Sequence, residues 1–358
     1  MHTMLTVAAV AAWVAMSPPP TPPAGLTHAR VEIQPRHGGL AETVNEALGS
    51  RPGAFWIAWS VPTHAEHEAC CWSSGPGPGA GVAGCRLEDH EGSFSTGRPD
   101  VVPLEGGGRI RVLLRGESGR VGRVRAFSDT CALDAGDLPF LWLGEAPPAE
   151  SLALLATLAA SPRGDDGGDR HLESGAMMAI ALHADPGADA VLEQLVGREQ
   201  PLERRKDAAF WLGQERGEHG YQVLRRLVRE DPQPVFREHV LFALSCSRQP
   251  EAVDDLIDRA RHDTSARVRG QALFWLAQTA ARRAVGTLRA ALEEDPEIEV
   301  KKKAVFALSL LPKDEGVPLL ISLAETHRSR EVRKQAMFWL AQSQDPRALA
   351  FFEEVLGR

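Results

Sequence analysis

The sequence lacks the marks of most enzyme classes. Its 358 residues hold no glycine-rich phosphate loop, no nucleophile elbow and no paired-carboxylate motif. It has no excess of positive charge either: 40 Lys and Arg stand against 48 Asp and Glu, a formal net charge of −8. Nucleic-acid binding needs a basic surface to meet phosphates, so that partner is not expected. The cation clusters Arg204-Arg205-Lys206 and Lys301-Lys302-Lys303 are local and open helices.

Long hydrophobic runs are scarce as well. The one candidate, residues 4–16 (MLTVAAVAAWVAM), is too short for a comfortable membrane span and has the length of a signal-peptide core. A proline-rich stretch follows, and Thr27-His28-Ala29 offers a small-residue cleavage site. Residues 1–29 are therefore expected to be an export signal, leaving a periplasmic or secreted protein with no span. The segment before the run has His2 but no Lys or Arg, so an uncleaved anchor is the alternative.

Four of the five cysteines, Cys70, Cys71, Cys85 and Cys131, lie between the signal and residue 147. An even local count in an exported chain predicts disulfides. Adjacent cysteines rarely bond each other, so Cys70 and Cys71 are expected to pair with Cys85 and Cys131 in an order left open. Cys246 lies on a later helix and reads as a buried free thiol. A competing reading takes His64, His67, Cys70 and Cys85 as a metal site, because imidazole and thiolate are zinc ligands and a three-residue spacing can align the two histidines. Oxidation of the thiols would remove it. No cofactor is expected otherwise.

Residues 30–147 read as a small α+β domain. A buried strand is predicted over 54–61 (AFWIAWSV), a hairpin from 109–114 and 122–128 around Gly116 and Gly119, a short helix over 40–48 and a last strand over 140–143.

From about residue 148 the pattern changes to a repeat. Phe210, Phe242, Phe274, Phe306 and Phe338 stand 32 residues apart. Two positions before each is Ala208, Val240, Ala272, Ala304 or Ala336, and two after it Leu212, Leu244, Leu276, Leu308 or Leu340. These apolar offsets read as one side of a helix. Five before each is a cation: Arg205, Arg237, Arg269, Lys301, Arg333. A second leucine column at 192, 224, 256, 288 and 320, with Phe352 in the sixth slot, predicts another helix ahead of each Phe helix. Asp231-Pro232 and Asp295-Pro296 fall between them, where Pro ends one helix and Asp can cap the next. A fixed period of this size marks stacked helix pairs, an all-α solenoid of about six pairs over residues 148–358. The first pair departs from the pattern, with Met178 for Phe and Glu173 for the cation. The last helix, 348–356, is expected to cap the far end. The cations sit six residues after Glu199, Asp231, Asp263 and Asp295, with His327 breaking the series, which suggests an acid-to-base ladder along the turns, with an anion-binding strip as the alternative.

The stretch from Val268 to Leu276 (VRGQALFWL) and its near copy from Val332 to Leu340 resemble the HEAT-repeat family, in particular its short phycobilisome-lyase-type subclass with V-R-x-x-A-x-x-A-L after a D-P turn. The resemblance covers residues 150–358 and implies a helical array with many possible roles. One HEAT-like metalloenzyme type holds iron with His-Glu dyads. Here His171 precedes Leu172 and His239 follows Glu238, so that activity is not implied. In the family pattern the Phe column takes the variable position that usually faces the concave side; the alternative is that helix tilt buries each Phe against the adjacent helix.

The residue after each Phe alternates: Trp211, Ala243, Trp275, Ala307, Trp339. Either Trp and Ala balance volume between layers, or the indoles edge a binding surface. The leading expectation is a scaffold that binds a protein or peptide through the five phenylalanines and Trp211, Trp275 and Trp339, with Gln271 and Gln335 fixing orientation. The opposing one makes residues 30–147 a metal-dependent or redox module and the solenoid its docking arm.

Overall fold

The computed structural model describes residues 21–36, 38–65, 68–70, 85–88, 108–161 and 168–357. Most of the expected signal, His67 and Cys71 lie outside them.

The predicted buried strand is β3, Phe55–Pro62, and it is the centre of a five-stranded sheet. On one side of it runs β8, Pro139–Glu145, then the edge strand β2, Arg30–Ile33, both parallel to their neighbours. On the other side β5, Arg109–Glu117, and β6, Arg120–Ser128, form the predicted hairpin. Its two-residue turn places Ser118 and Gly119 at φ 52° and 76°, the left-handed pair that matches the twist of the flanking strands. Three two-residue strands, β1 (Leu26–Thr27), β4 (Cys85–Arg86) and β7 (Leu133–Asp134), form a second small sheet.

Strand β3 reads as a nearly continuous apolar run because both of its faces are covered. Phe55, Ile57, Trp59 and Val61 face helices; Trp56 and Ala58 face the cysteine side with Phe127, Phe140 and Trp142. The helix side is closed by α1 (Leu40–Ser50), α2 (Pro148–Ala159) and α3 (Gly168–Leu182). Trp59 donates its indole N–H to Ser151 Oγ of α2 at 2.9 Å, and Glu150 accepts from the Leu40 amide at the start of α1. Helix α3 lies directly on β6: a Cβ at Gly175 would stand 2.0 Å from the carbonyl oxygen of Val124. The deviant first helix pair thus packs on a sheet, and Met178, in the Phe slot, is buried there.

The rest of the chain is the expected array. First helices α4 (Gly187–Leu195), α6 (Gly217–Glu230), α8 (Ala252–His262), α10 (Ala281–Glu294) and α12 (Lys313–Thr326) alternate with second helices α5 (Leu202–Glu215), α7 (Pro234–Cys246), α9 (Ala266–Thr279), α11 (Ile298–Ser309) and α13 (Arg330–Gln342). Helix α14, Pro346–Leu356, closes the end. The leucine column from Leu192 to Leu320 is fully buried, and a single apolar core runs from the sheet through every layer of helices.

The turns differ from expectation in one detail. Asp231, Asp263 and Asp295 end the first helices rather than capping the second ones. Each carboxylate accepts the amide two residues on, from Gln233, Ser265 and Glu297, which fixes the turn before the next helix begins.

The cation column crosses between repeats. Arg237 donates to the carbonyl of Asp231, six residues back, and to the carboxylate of Asp263, in the next turn along; Arg269 does the same with Asp263 and Asp295. Arg205 pairs with Asp231 and lies 3.8 Å over the ring of Phe236. At the break in the series, Lys301 has no acid ahead of it and donates instead to the carbonyls of Leu292 and Glu293. At the first pair the charges are exchanged: Glu173, in the cation slot, is met at 2.6 Å by Arg204, and both are buried.

Candidate functional site

The phenylalanines do not share the buried side of their helices. At 100° per residue, positions two before and two after Phe fall nearly together, and Phe falls opposite them. Ala208, Val240, Ala272, Ala304 and Ala336 and the five matching leucines are buried to 1% exposure or less. The phenylalanines are half-buried, with Phe338 52% exposed at the open end. The apolar offsets therefore make two faces, one packed and one accessible.

On the accessible face the rings touch in an unbroken series. Phe210 stacks on Phe242 at 5.7 Å and 13°, and Phe274 on Phe306 at 5.9 Å and 9°. Between these pairs a tryptophan is wedged: Trp275 meets Phe242 at 5.0 Å and Phe274 at 4.7 Å, and Trp339 meets Phe306 at 4.8 Å and Phe338 at 5.0 Å. Trp211 packs edge-on against Phe210 at 5.0 Å and extends the series at its other end. The alternation of Trp with Ala has its reason here. Ala243 and Ala307 are fully buried where the second helices press together, and a Cβ at Gly213 would stand 2.2 Å from the carbonyl oxygen of Ala243. There is no room for an indole at those layers. The tryptophans are half-buried, so they fill volume and border the surface at once.

The flanks of this ribbon are polar and charge-balanced. Lys206 pairs with Glu203 at 2.7 Å, Lys302 with Glu299 at 2.8 Å, and Arg267 with Glu238 at 3.0 Å. Gln271 and Gln335 lie beside the ribbon, half-buried, and their carboxamides have no hydrogen-bond partner among the described residues. The indole N–H groups of Trp275 and Trp339 are also buried without an acceptor. The accessible face thus has an apolar centre and a charge-balanced polar rim.

The cysteine side is a structural staple. Cys70 is bonded to Cys131, 61 residues apart, and Cys85 is also disulfide-bonded. A thiolate at Cys70 or Cys85, which the metal reading needs, is thereby removed. Residues 64, 65 and 68–70 are irregular chain rather than a helical turn. His64 instead ties sheet to helix. Its Nε2 bonds the carbonyl oxygen of Ala181 at 2.7 Å, beside the Thr63 to His183 bridge that joins the end of β3 to the end of α3. Beneath it His183 is fully buried; its Nδ1 accepts from the Asp185 amide and burial pushes its pKa down to about 4. Cys246 is a free, half-buried thiol with its pKa raised by burial.

Residues 188–277 and 285–358 match the family model for HEAT repeats. The sequence matches no curated protein. Among solved structures, it is similar to human deoxyhypusine hydroxylase in complex with glycerol (17% identity, TM-score 0.32, covering 59% of this chain and 80% of that one). It is also similar to the complex of CpcE and CpcF of phycocyanin lyase from Nostoc (19%, 0.29, 55% and 76%) and to an engineered protein (19%, 0.28, 59% and 68%). The matched residues fall on the alternating first and second helices, so the C-terminal region is a HEAT-like run of helix pairs.

Proposed function

We propose that this chain is an exported scaffold whose second-helix face, the concave face by its resemblance to HEAT arrays, holds a protein or peptide partner. The observation that carries the reading is the unbroken ribbon of eight rings from Trp211 to Phe338, all accessible and flanked by neutralised ion pairs. Rigid aromatic rings give large apolar contact for little loss of conformational freedom. Gln271 and Gln335, with unused amide groups, would set the orientation of a bound backbone. Because the rim is balanced in charge, recognition would rest on apolar fit more than on electrostatic attraction. Export is supported by the Cys70–Cys131 disulfide, a bond that persists in oxidising compartments.

The test is affinity capture from a native envelope extract, comparing the wild type with a folded Phe210→Ser, Phe274→Ser, Phe338→Ser triple variant. A partner held by the wild type and lost by the variant is the expected result. Equal capture by both overturns the assignment of the ribbon.

A further inference from the structure

Two crevices between first helices occupy equivalent places one repeat apart, yet their chemistry is opposite. The crevice between α8 and α10 has a volume of about 700 Å³ and is lined by small or polar side chains. It contains Arg261 and Arg269 against three carboxylates, Asp263, Glu294 and Asp295. Arg269 is saturated there by Asp295 and the Asp263 carbonyl.

Thirty-two residues on, the crevice between α10 and α12 has a volume of about 510 Å³. Ala260, Thr287 and Ala291 become Leu292, Leu319 and Leu323. Glu294 and Asp295 become Thr326 and His327, and Pro296 becomes Arg328. Arg261 becomes Glu293, which is exposed and supplies the only carboxylate in the lining. Leu292 and Leu308, 1% exposed, form the floor, and the half-buried Leu319 and Leu323 the wall.

Charge has reversed along with polarity. Arg289 and Arg328 now stand against Glu293 alone, and the Lys301 ammonium, in the slot of Arg269, is hydrogen-bonded to the Leu292 and Glu293 carbonyls rather than to a carboxylate. Arg289 makes no hydrogen bond or ion pair among the described residues, and Arg328 donates to a carbonyl only. His327 accepts the Ser329 amide at Nδ1 and meets the Leu292 carbonyl at Nε2, so it offers no negative charge. An apolar cleft edged by two guanidiniums that have no carboxylate partner has the make-up of a site for an anion with a hydrocarbon body.

We propose that this crevice binds a small amphiphilic carboxylate. Its carboxylate meets Arg289 and Arg328, and its hydrocarbon covers Leu319 and Leu323. The site is on the first-helix layer, separate from the aromatic ribbon, and does not depend on a partner there.

Octanoate is the probe, titrated calorimetrically into the full chain, with octylammonium and acetate as comparators. Saturable binding of octanoate and none of the comparators is expected. The exposed pair Arg289→Glu, Arg328→Glu should weaken binding at least tenfold. The double variant Lys301→Arg, His327→Asp, which restores the pairing seen one repeat earlier, should also weaken it by placing a carboxylate in the cleft. Absence of saturable octanoate binding, equal binding of octylammonium, or unchanged binding by the Arg289→Glu, Arg328→Glu variant overturns the proposal.

Discussion

Arg237 and Asp263 form a two-pronged ion pair across two repeats, Nε to Oδ2 at 3.0 Å and Nη2 to Oδ1 at 2.7 Å, with both side chains nearly sealed from solvent. The remaining prong of the guanidinium holds the Asp231 carbonyl at 2.7 Å. One side chain therefore sets the spacing of two successive turns. Removing one partner strands a buried charge, which costs far more than the pair contributes. Asp263→Ala should lose about 3–5 kcal/mol, whereas the double replacement Arg237→Met, Asp263→Leu should lose much less. Urea unfolding of both variants checks the difference.

The two faces of the Phe helices should respond differently to truncation. Leu276 is fully buried, and Leu276→Ala should cost about 2–5 kcal/mol. Phe274 is half-exposed and held by contacts with Trp275 and Phe306. Phe274→Ala should cost only about 1–2 kcal/mol. Equal losses in the same unfolding assay would place the phenylalanine column in the core.

Two helical glycines should give opposite signs. Gly286, in α10, has open space where a Cβ would go, so Gly286→Ala should raise stability by about 1 kcal/mol through helix propensity. At Gly175 the added Cβ meets the Val124 carbonyl of the sheet, and the same replacement should lower it because backbone on both sides must part. Thermal melts of the two variants read the contrast directly.

Acid should weaken the junction between sheet and solenoid. Burial pushes the His183 pKa down to about 4, and Arg216 and His64 oppose its protonation further while Asp185 favours it. A histidine that stays neutral when folded takes up its proton first in the unfolded chain. Its contribution is complete above the unfolded value near pH 6.5 and is lost as pH falls toward 4. Stability at pH 5 should be about 2 kcal/mol below that at pH 7 from this group. His183→Gln should reduce the pH dependence by that amount in urea titrations at the two pH values.

What was legible in the chain and what was not divides by range. The leucine columns, with the small apolar residues two before each Phe, encode helix pairs because burial repeats along the helix, and β3 is visible because an eight-residue apolar run covered on both faces has no polar interruption but Ser60. The hairpin of β5 and β6 follows from a local glycine turn. The placement of β8 between β2 and β3 joins residues about 85 apart or more, for which no local signal exists. The destination of the arginines was hidden for the same reason. Asp231 stands six residues before Arg237, and the nearer acid looks like the partner, yet Arg237 takes only its carbonyl and directs its charge 26 residues ahead. Likewise the Phe column was visible as a period, but its separation from the packed face depended on the helix angle, not on hydrophobicity.

The wedge of Trp275 between Phe242 and Phe274, repeated by Trp339 between Phe306 and Phe338, makes the module of this array two repeats long. Excising one 32-residue repeat would bring two alanine layers or two tryptophan layers together, leaving a void or a collision. Excising two would rejoin like with like. Length variants of this solenoid that keep an intact ribbon should therefore differ by even numbers of repeats, a rule of inheritance written in side-chain volume.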